Sequence, residues 1–318
     1  MTNFKINNKI DNKICFRVRY NRANHSDLIK KCIAPFIFDS NNKNTFDNFF
    51  VTKNFNRGAS VLIFFSSKNN SSLNQLIDTA GNFFSDFVNR NPSENEESEI
   101  NYKGKWFMNY PENTVQMLRE SEMERYNSSQ NFNVDFSKHL DILNTNFTEC
   151  AIKTLRNIEG EDYETILTTF YELLLSVVAS FKLSKYESKS IFTSILSKIS
   201  KGKLNVENPK VITTKLTSGD KRQKNQIEKD FQSNYENLYP FINENWLNNI
   251  KNEGQNTNFD FINCLAIKNR KVIQNCNLSK KRLKIIIEHS ILNFFKILNL
   301  KKYTYLFILY SLSKCLND

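Results

Sequence analysis

The stretch Phe49-Phe50-Val51-Thr52-Lys53-Asn54-Phe55-Asn56-Arg57-Gly58-Ala59-Ser60-Val61-Leu62-Ile63-Phe64-Phe65-Ser66 decides the fold class. Aromatic and β-branched runs at both ends suit pleated strands, and the segment between them carries the glycine of a short connection. It reads as a hairpin. The second arm is apolar at consecutive positions, the pattern of a strand covered on both faces, so it belongs inside a sheet. Upstream, Ile14-Cys15-Phe16-Arg17-Val18-Arg19-Tyr20 alternates. Cys15, Arg17 and Arg19 share one face of a strand, and Phe16, Val18 and Tyr20 share the other.

Helices interleave with these strands. Ser26-Asp27 can cap a helix that runs to about residue 33, where Pro35 ends it. Ser72-Leu73 opens a second one, with Leu73, Leu76, Ile77, Ala80, Phe84, Phe87 and Val88 at helical spacing. The acidic, polar run that begins at Asn91-Pro92-Ser93-Glu94 reads as a mobile surface loop over 90–104. From residue 135 the texture is helical. Segments 136–158 and 163–183 are amphipathic, and the second, with Ile166, Leu167, Phe170, Leu173, Leu174 and Val177, is expected to be central. The basic, turn-rich 201–224 reads as an exposed loop or hairpin. Helices over 226–250, 259–270, 279–298 and 303–315 follow. Strands first and helices after predict the α+β class: a small, mostly antiparallel sheet from the N-terminal third packed with helices, then a largely helical C-terminal half. A single domain, 1–318, is expected, sheet-rich over residues 1–134 and helical over residues 135–318.

Composition narrows the function. With 40% hydrophobic residues the chain can bury a core, and 7 glycines and 5 prolines exclude collagenous or proline-rich architectures. The net charge of +11 permits an anionic partner. An AT-rich genome, favouring Lys and Asn codons, produces the same excess. Cys15, Cys32, Cys150, Cys264, Cys276 and Cys315 show no zinc or redox spacing and are expected to be free thiols. The polar N-terminus lacks a signal peptide's apolar core, and the most apolar stretch, 303–312, is half the length of a membrane span. The expectation is a cytoplasmic protein with no membrane span, no metal and no cofactor.

One cluster is chemically dense. Lys103-Gly104-Lys105-Trp106-Phe107-Met108-Asn109-Tyr110-Pro111-Glu112 leads to Glu120-Ser121-Glu122-Met123-Glu124-Arg125-Tyr126-Asn127. An arginine beside a tyrosine with three carboxylates upstream can form a fixed ionic network, or present a forked guanidinium to a substrate carboxylate.

The order of these pieces resembles the thiopeptide-type bacteriocin biosynthesis domain, which is also the C-terminal, glutamate-eliminating region of lantibiotic dehydratases. The matching landmarks are the helix around Leu28-Ile29-Lys30-Lys31-Cys32-Ile33-Ala34-Pro35, the hairpin, the acidic loop and Glu122-x-x-Arg125-Tyr126. The resemblance implies action on a ribosomal precursor peptide, leader and core, beside a separate glutamylating dehydratase subunit, with no direct tRNA contact expected. A base removes the α-proton of a glutamylated Ser or Thr, glutamate departs, and a dehydroamino acid remains. Two alternatives stay open: a non-catalytic leader-binding or dehydratase-partner subunit, and a pyridine-forming aza-cycloaddition. The family's hairpin histidine position falls on Ser60 and its two arginines on Leu62 and Phe64. Its late histidine position falls near Leu265 or Ile267, ahead of Asn269-Arg270. Arg125 matches by motif. Arg17, Arg19 and His289 complete the candidate catalytic set, with Tyr126, Lys53 and Arg270 for substrate binding.

Overall fold

The computed structural model describes residues 13–54, 58–67, 69–94, 112–123, 134–200, 218–276 and 279–317. The chain divides into two compact units, Met1–Asn131 and Phe132–Asp318.

The first unit is built on four strands, β1 (Lys13–Arg19), β2 (Asn48–Asn54), β3 (Ser60–Ser66) and β4 (Thr114–Met117), in the order β2-β3-β1-β4. All neighbours are antiparallel. The hairpin and the alternating strand form as the sequence predicts, and β3 lies inside the sheet. The edge strand β4 was not legible: four half-buried residues, Thr-Val-Gln-Met, carry no periodicity of their own.

Phe16, Phe65 and Phe84 form the core of the helix-covered face. Phe16 meets Phe65 at 6.4 Å and Phe84 at 5.7 Å, edge to face, and Phe36 reaches both partners at 6.0 and 5.1 Å. Such ring pairs each contribute roughly 0.5–1.5 kcal/mol beyond the area they bury. Phe84 comes from α3 (Asn70–Arg90), whose N-cap is Asn69, three residues before the expected Ser72-Leu73 start. Phe36 comes from α2 (Ala34–Phe38), which follows α1 (His25–Leu28) through a π turn, Ile29–Ile33. Pro35 therefore does not stop the helix. The Ala34 N–H bonds back five residues to the Ile29 carbonyl, and the wider turn makes room for a ring that an α-helical register would drive into the carbonyl of Lys31. After α3, Asn91–Glu94 is tied down: Tyr20 donates to the Asn91 carbonyl, and Ser93 bonds Asn21 and Asn113. The rest of the loop expected to be mobile lies outside the described residues, and a short α4 (Glu120–Met123) follows β4.

The second unit is helical: α5 (Val134–Asn157), α6 (Tyr163–Ser180), α7 (Lys185–Ser200), α8 (Ser218–Lys251), α9 (Asp260–Gln274), α10 (Lys280–Leu298) and α11 (Lys302–Cys315). As expected, α6 is central, buried from Thr169 to Ser180. Helix α7 escaped the apolar-periodicity reading, although its start is written as Ser184-x-x-Glu187. The Ser184 N–H donates to the Glu187 carboxylate at 2.9 Å, and the Glu187 N–H donates back to the Ser184 hydroxyl at 3.2 Å. The basic run expected to be a loop or hairpin is helical from Ser218 onward, and 201–217 lie outside the described residues. Among the described residues, no helix is long and apolar enough to cross a membrane.

Candidate functional site

The register of the sheet sorts the predicted cations. Arg17 pairs with Leu62 and Arg19 with Ser60, and Thr52 and Asn54 continue the same rows onto β2. Directly paired residues project to one side, so Arg17, Arg19, Leu62 and Ser60 share a face. Lys53 pairs with Val61, which pairs with Val18. It leaves the sheet on the opposite, helix-covered side. The three cations expected to act together are therefore divided, with two on the site face and one on the opposite, helix-covered face.

Both arginines are buried, at 3% exposure each. A guanidinium cannot shed its charge, so burial requires partners. Arg19 Nη2 lies 3.2 Å from Glu112 Oε1, and its Nη1 donates to the Ala59 carbonyl. Arg17 Nη1 is 3.9 Å from Glu122 Oε1, an ion pair longer than a direct hydrogen bond. Glu122, expected to join the Arg125 network, thus reaches β1. Below Arg17 the face turns apolar: Cys15, Leu62 and Leu118 cluster, with Phe64 and Met123 packed against them. Burial pushes the Cys15 thiol up, against the pull of the Arg17 charge, so it stays protonated. Above Arg17 the face is polar, with the Ser60 hydroxyl donating to the Asn54 carbonyl at 3.2 Å.

Gly58 makes room for this arrangement. Its φ is +104°, and a Cβ there would stand 2.1 Å from the Arg19 guanidinium carbon. The arginine lies over a bare backbone turn. Gly58→Ala is expected to displace the guanidinium from Ala59 and Glu112 and to destabilise the protein by about 2 kcal/mol in urea unfolding.

Arg125 and Tyr126 lie outside the described residues. His289 is exposed on α10 of the helical unit. Arg270, on α9, pairs with Glu253, and its Nε donates to the Ala266 carbonyl at 3.5 Å. Near the expected late histidine, Leu265 is buried and Ile267 exposed. Sequence reasoning passed over Glu112 and His25. Glu112 offered only its place beside Pro111. His25, on α1, is fully buried, its Nε2 2.9 Å from the Tyr20 carbonyl, and burial with the nearby Lys53 charge lowers its pKa to about 3. Among the described residues no group of His, Cys, Asp and Glu could hold a metal ion.

No family model and no curated protein matches this sequence. Solved structures do. The chain is similar to the pyridine synthase TbtD from thiomuracin biosynthesis, with a TM-score of 0.67 and 13% identity over 96% of this chain and 97% of that one. It is also similar to TsrL, with a TM-score of 0.57 and 12% identity over 95% and 93% of the two chains. A weaker likeness, TM-score 0.46 at 10% identity, spans 28% of the tRNA-dependent lantibiotic dehydratase MibB from Microbispora sp. 107891. The first two establish a shared fold over nearly the whole chain.

Proposed function

We propose that this protein modifies a ribosomal precursor peptide in a thiopeptide- or lanthipeptide-type pathway, using Arg17 and Arg19 to bind a carboxylate that leaves during dehydroamino acid formation. The observation that carries the reading is the register: Arg17 faces Leu62 and Arg19 faces Ser60. The family carries its cation and histidine at those two β3 positions, so here the positive charge sits one strand over on the same face. Removal of the α-proton from a glutamylated Ser or Thr breaks the Cβ–O bond and releases glutamate. Guanidiniums at that point stabilise the departing anion. Glu112 and Glu122 hold the forks in place before the substrate arrives. Roles for Arg125, Tyr126, Arg270 and His289, the last as proton carrier, belong to the same proposal, as do one functional domain over 1–318 and a separate glutamylating subunit.

The test is reconstitution of the full chain with the glutamylated precursor. The expected product is lighter than the unmodified peptide by one water per site, and Arg19→Gln should lower its yield by roughly 10²-fold or more. Persistence of the glutamylated peptide, with its preparation verified, refutes elimination. A second reading, ring-forming cycloaddition, is favoured by the likeness to a pyridine synthase over nearly the full length of both chains. It predicts no loss of glutamate, but conversion of a peptide already carrying two dehydroalanines into a pyridine-absorbing product.

A further inference from the structure

Asn113 stands between Glu112, which holds the Arg19 fork, and Thr114, the β4 residue paired with Arg19. Its φ is +54°, a left-handed backbone that asparagine tolerates better than most side chains and that ordinarily favours glycine. The side chain shows what the asparagine adds. Its Oδ1 accepts from the Ser93 N–H and from the Ser93 hydroxyl, both at 2.8 Å, and its Nδ2 donates to the Ser93 carbonyl at 3.0 Å. One amide thus uses its acceptor and its donor on a single residue 20 positions away. Ser93 is itself buried, and its hydroxyl oxygen accepts from the Asn21 N–H at 2.9 Å, while Asn21 Nδ2 donates to the Glu94 carbonyl at 2.8 Å. These bonds close a ring. It runs along the chain from Arg19 to Asn21, across to Ser93, across to Asn113, back to Glu112, and over the 3.2 Å ion pair to Arg19.

We propose that Asn113 is the positioning residue of the Arg19 guanidinium. It fixes the point from which Glu112 leaves the chain, and through Glu112 the direction in which the fork faces the site. A glutamate side chain is free to turn about several bonds, so its carboxylate keeps a direction only when the backbone that carries it is held. Here that backbone enters β4 through a left-handed residue clipped by its own side chain. The consequence for turnover rests on the elimination reading above; the hold on Arg19 does not.

The experiment is NMR of the full chain with isotope-labelled arginine, the Arg19 and Arg17 Nε–H signals being identified by their loss in Arg19→Lys and Arg17→Lys. Asn113→Gly takes the left-handed backbone at no steric cost and removes only the clip. The Arg19 signal should move toward its position in Glu112→Gln, while the Arg17 signal stays in place. Ser93→Ala, which leaves the two main-chain bonds to Asn113, should move Arg19 the same way by less. With the glutamylated precursor, Asn113→Gly should lower kcat roughly tenfold with KM within about twofold, and cost nothing further in a Glu112→Gln background. An Arg19 signal unmoved in both variants overturns the proposal, as does an equal movement of Arg17, the mark of a general loosening of the sheet. Where the wild type turns over, an unchanged kcat in Asn113→Gly overturns it too. With an unreactive wild type the elimination reading fails, and the Arg19 signal alone decides the role of Asn113.

Discussion

Lys53→Met should be more stable than the wild type, and the gain should shrink as pH rises. Burial and then the Arg22 charge lower the Lys53 pKa from 10.5 to about 7. Below pH 7 the lysine is protonated in both folded and unfolded chains, and the full cost of burying its charge is present. Between pH 7 and 10.5 the folded protein gives up the proton while the unfolded chain keeps it, so wild-type stability climbs with pH. Above 10.5 the penalty is gone. By linkage the window is worth roughly 5 kcal/mol, and methionine keeps the packing of the stem without the charge. His25 adds a second window of the same sign. Its neutral ring, with a pKa of about 3 against 6.5 unfolded, contributes stability that is lost as pH falls from 6.5 to 3. Urea unfolding from pH 5 to 10 is the measurement. A Lys53→Met curve parallel to the wild type across that range would show that Lys53 carries no such penalty.

Gly254→Ala should destabilise the helical unit by about 2–5 kcal/mol. Gly254, in the turn between α8 and α9, has φ +84°, and a Cβ there would come within 2.6 Å of the Ser176 carbonyl oxygen and 3.2 Å of the Ser180 nitrogen. Those are backbone atoms of the buried central helix and cannot rotate away. The strain of a left-handed alanine, about 1–2 kcal/mol, therefore adds to an overpacking cost of about 1–3 kcal/mol. The Ser176 hydroxyl donates to the Gly254 carbonyl at 2.6 Å, which fixes the approach. Because the clash is with main chain, Ser176→Ala should cost about 1 kcal/mol by itself and leave the Gly254→Ala penalty undiminished. Calorimetry of the two single variants and the double variant checks this, and a penalty that disappears in the Ser176→Ala background would mean that α6 can move aside.

Local pattern was sufficient for the elements with strong periodicity. The alternation at Ile14–Tyr20, the apolar hairpin and the stripes of α3, α5 and α6 each state which face must leave water, and the α+β order followed from them. Four residues of β4 and the turn around Pro35 were not legible, since a short edge strand becomes one only by pairing with β1, and a proline is locally as compatible with a helix stop as with a π turn that carries the helix past it. The candidate site was half visible. Period-two alternation put Arg17 and Arg19 on one face from sequence alone, because successive side chains of a strand must point to opposite sides. That Lys53 lies on the other face, that Glu112 and Glu122 come from 93 and 105 residues away to hold the two guanidiniums, and that Gly58 opens the space for Arg19 were decided by strand register and chain crossing. Those depend on how distant segments pair, and no local stretch of the chain encodes it.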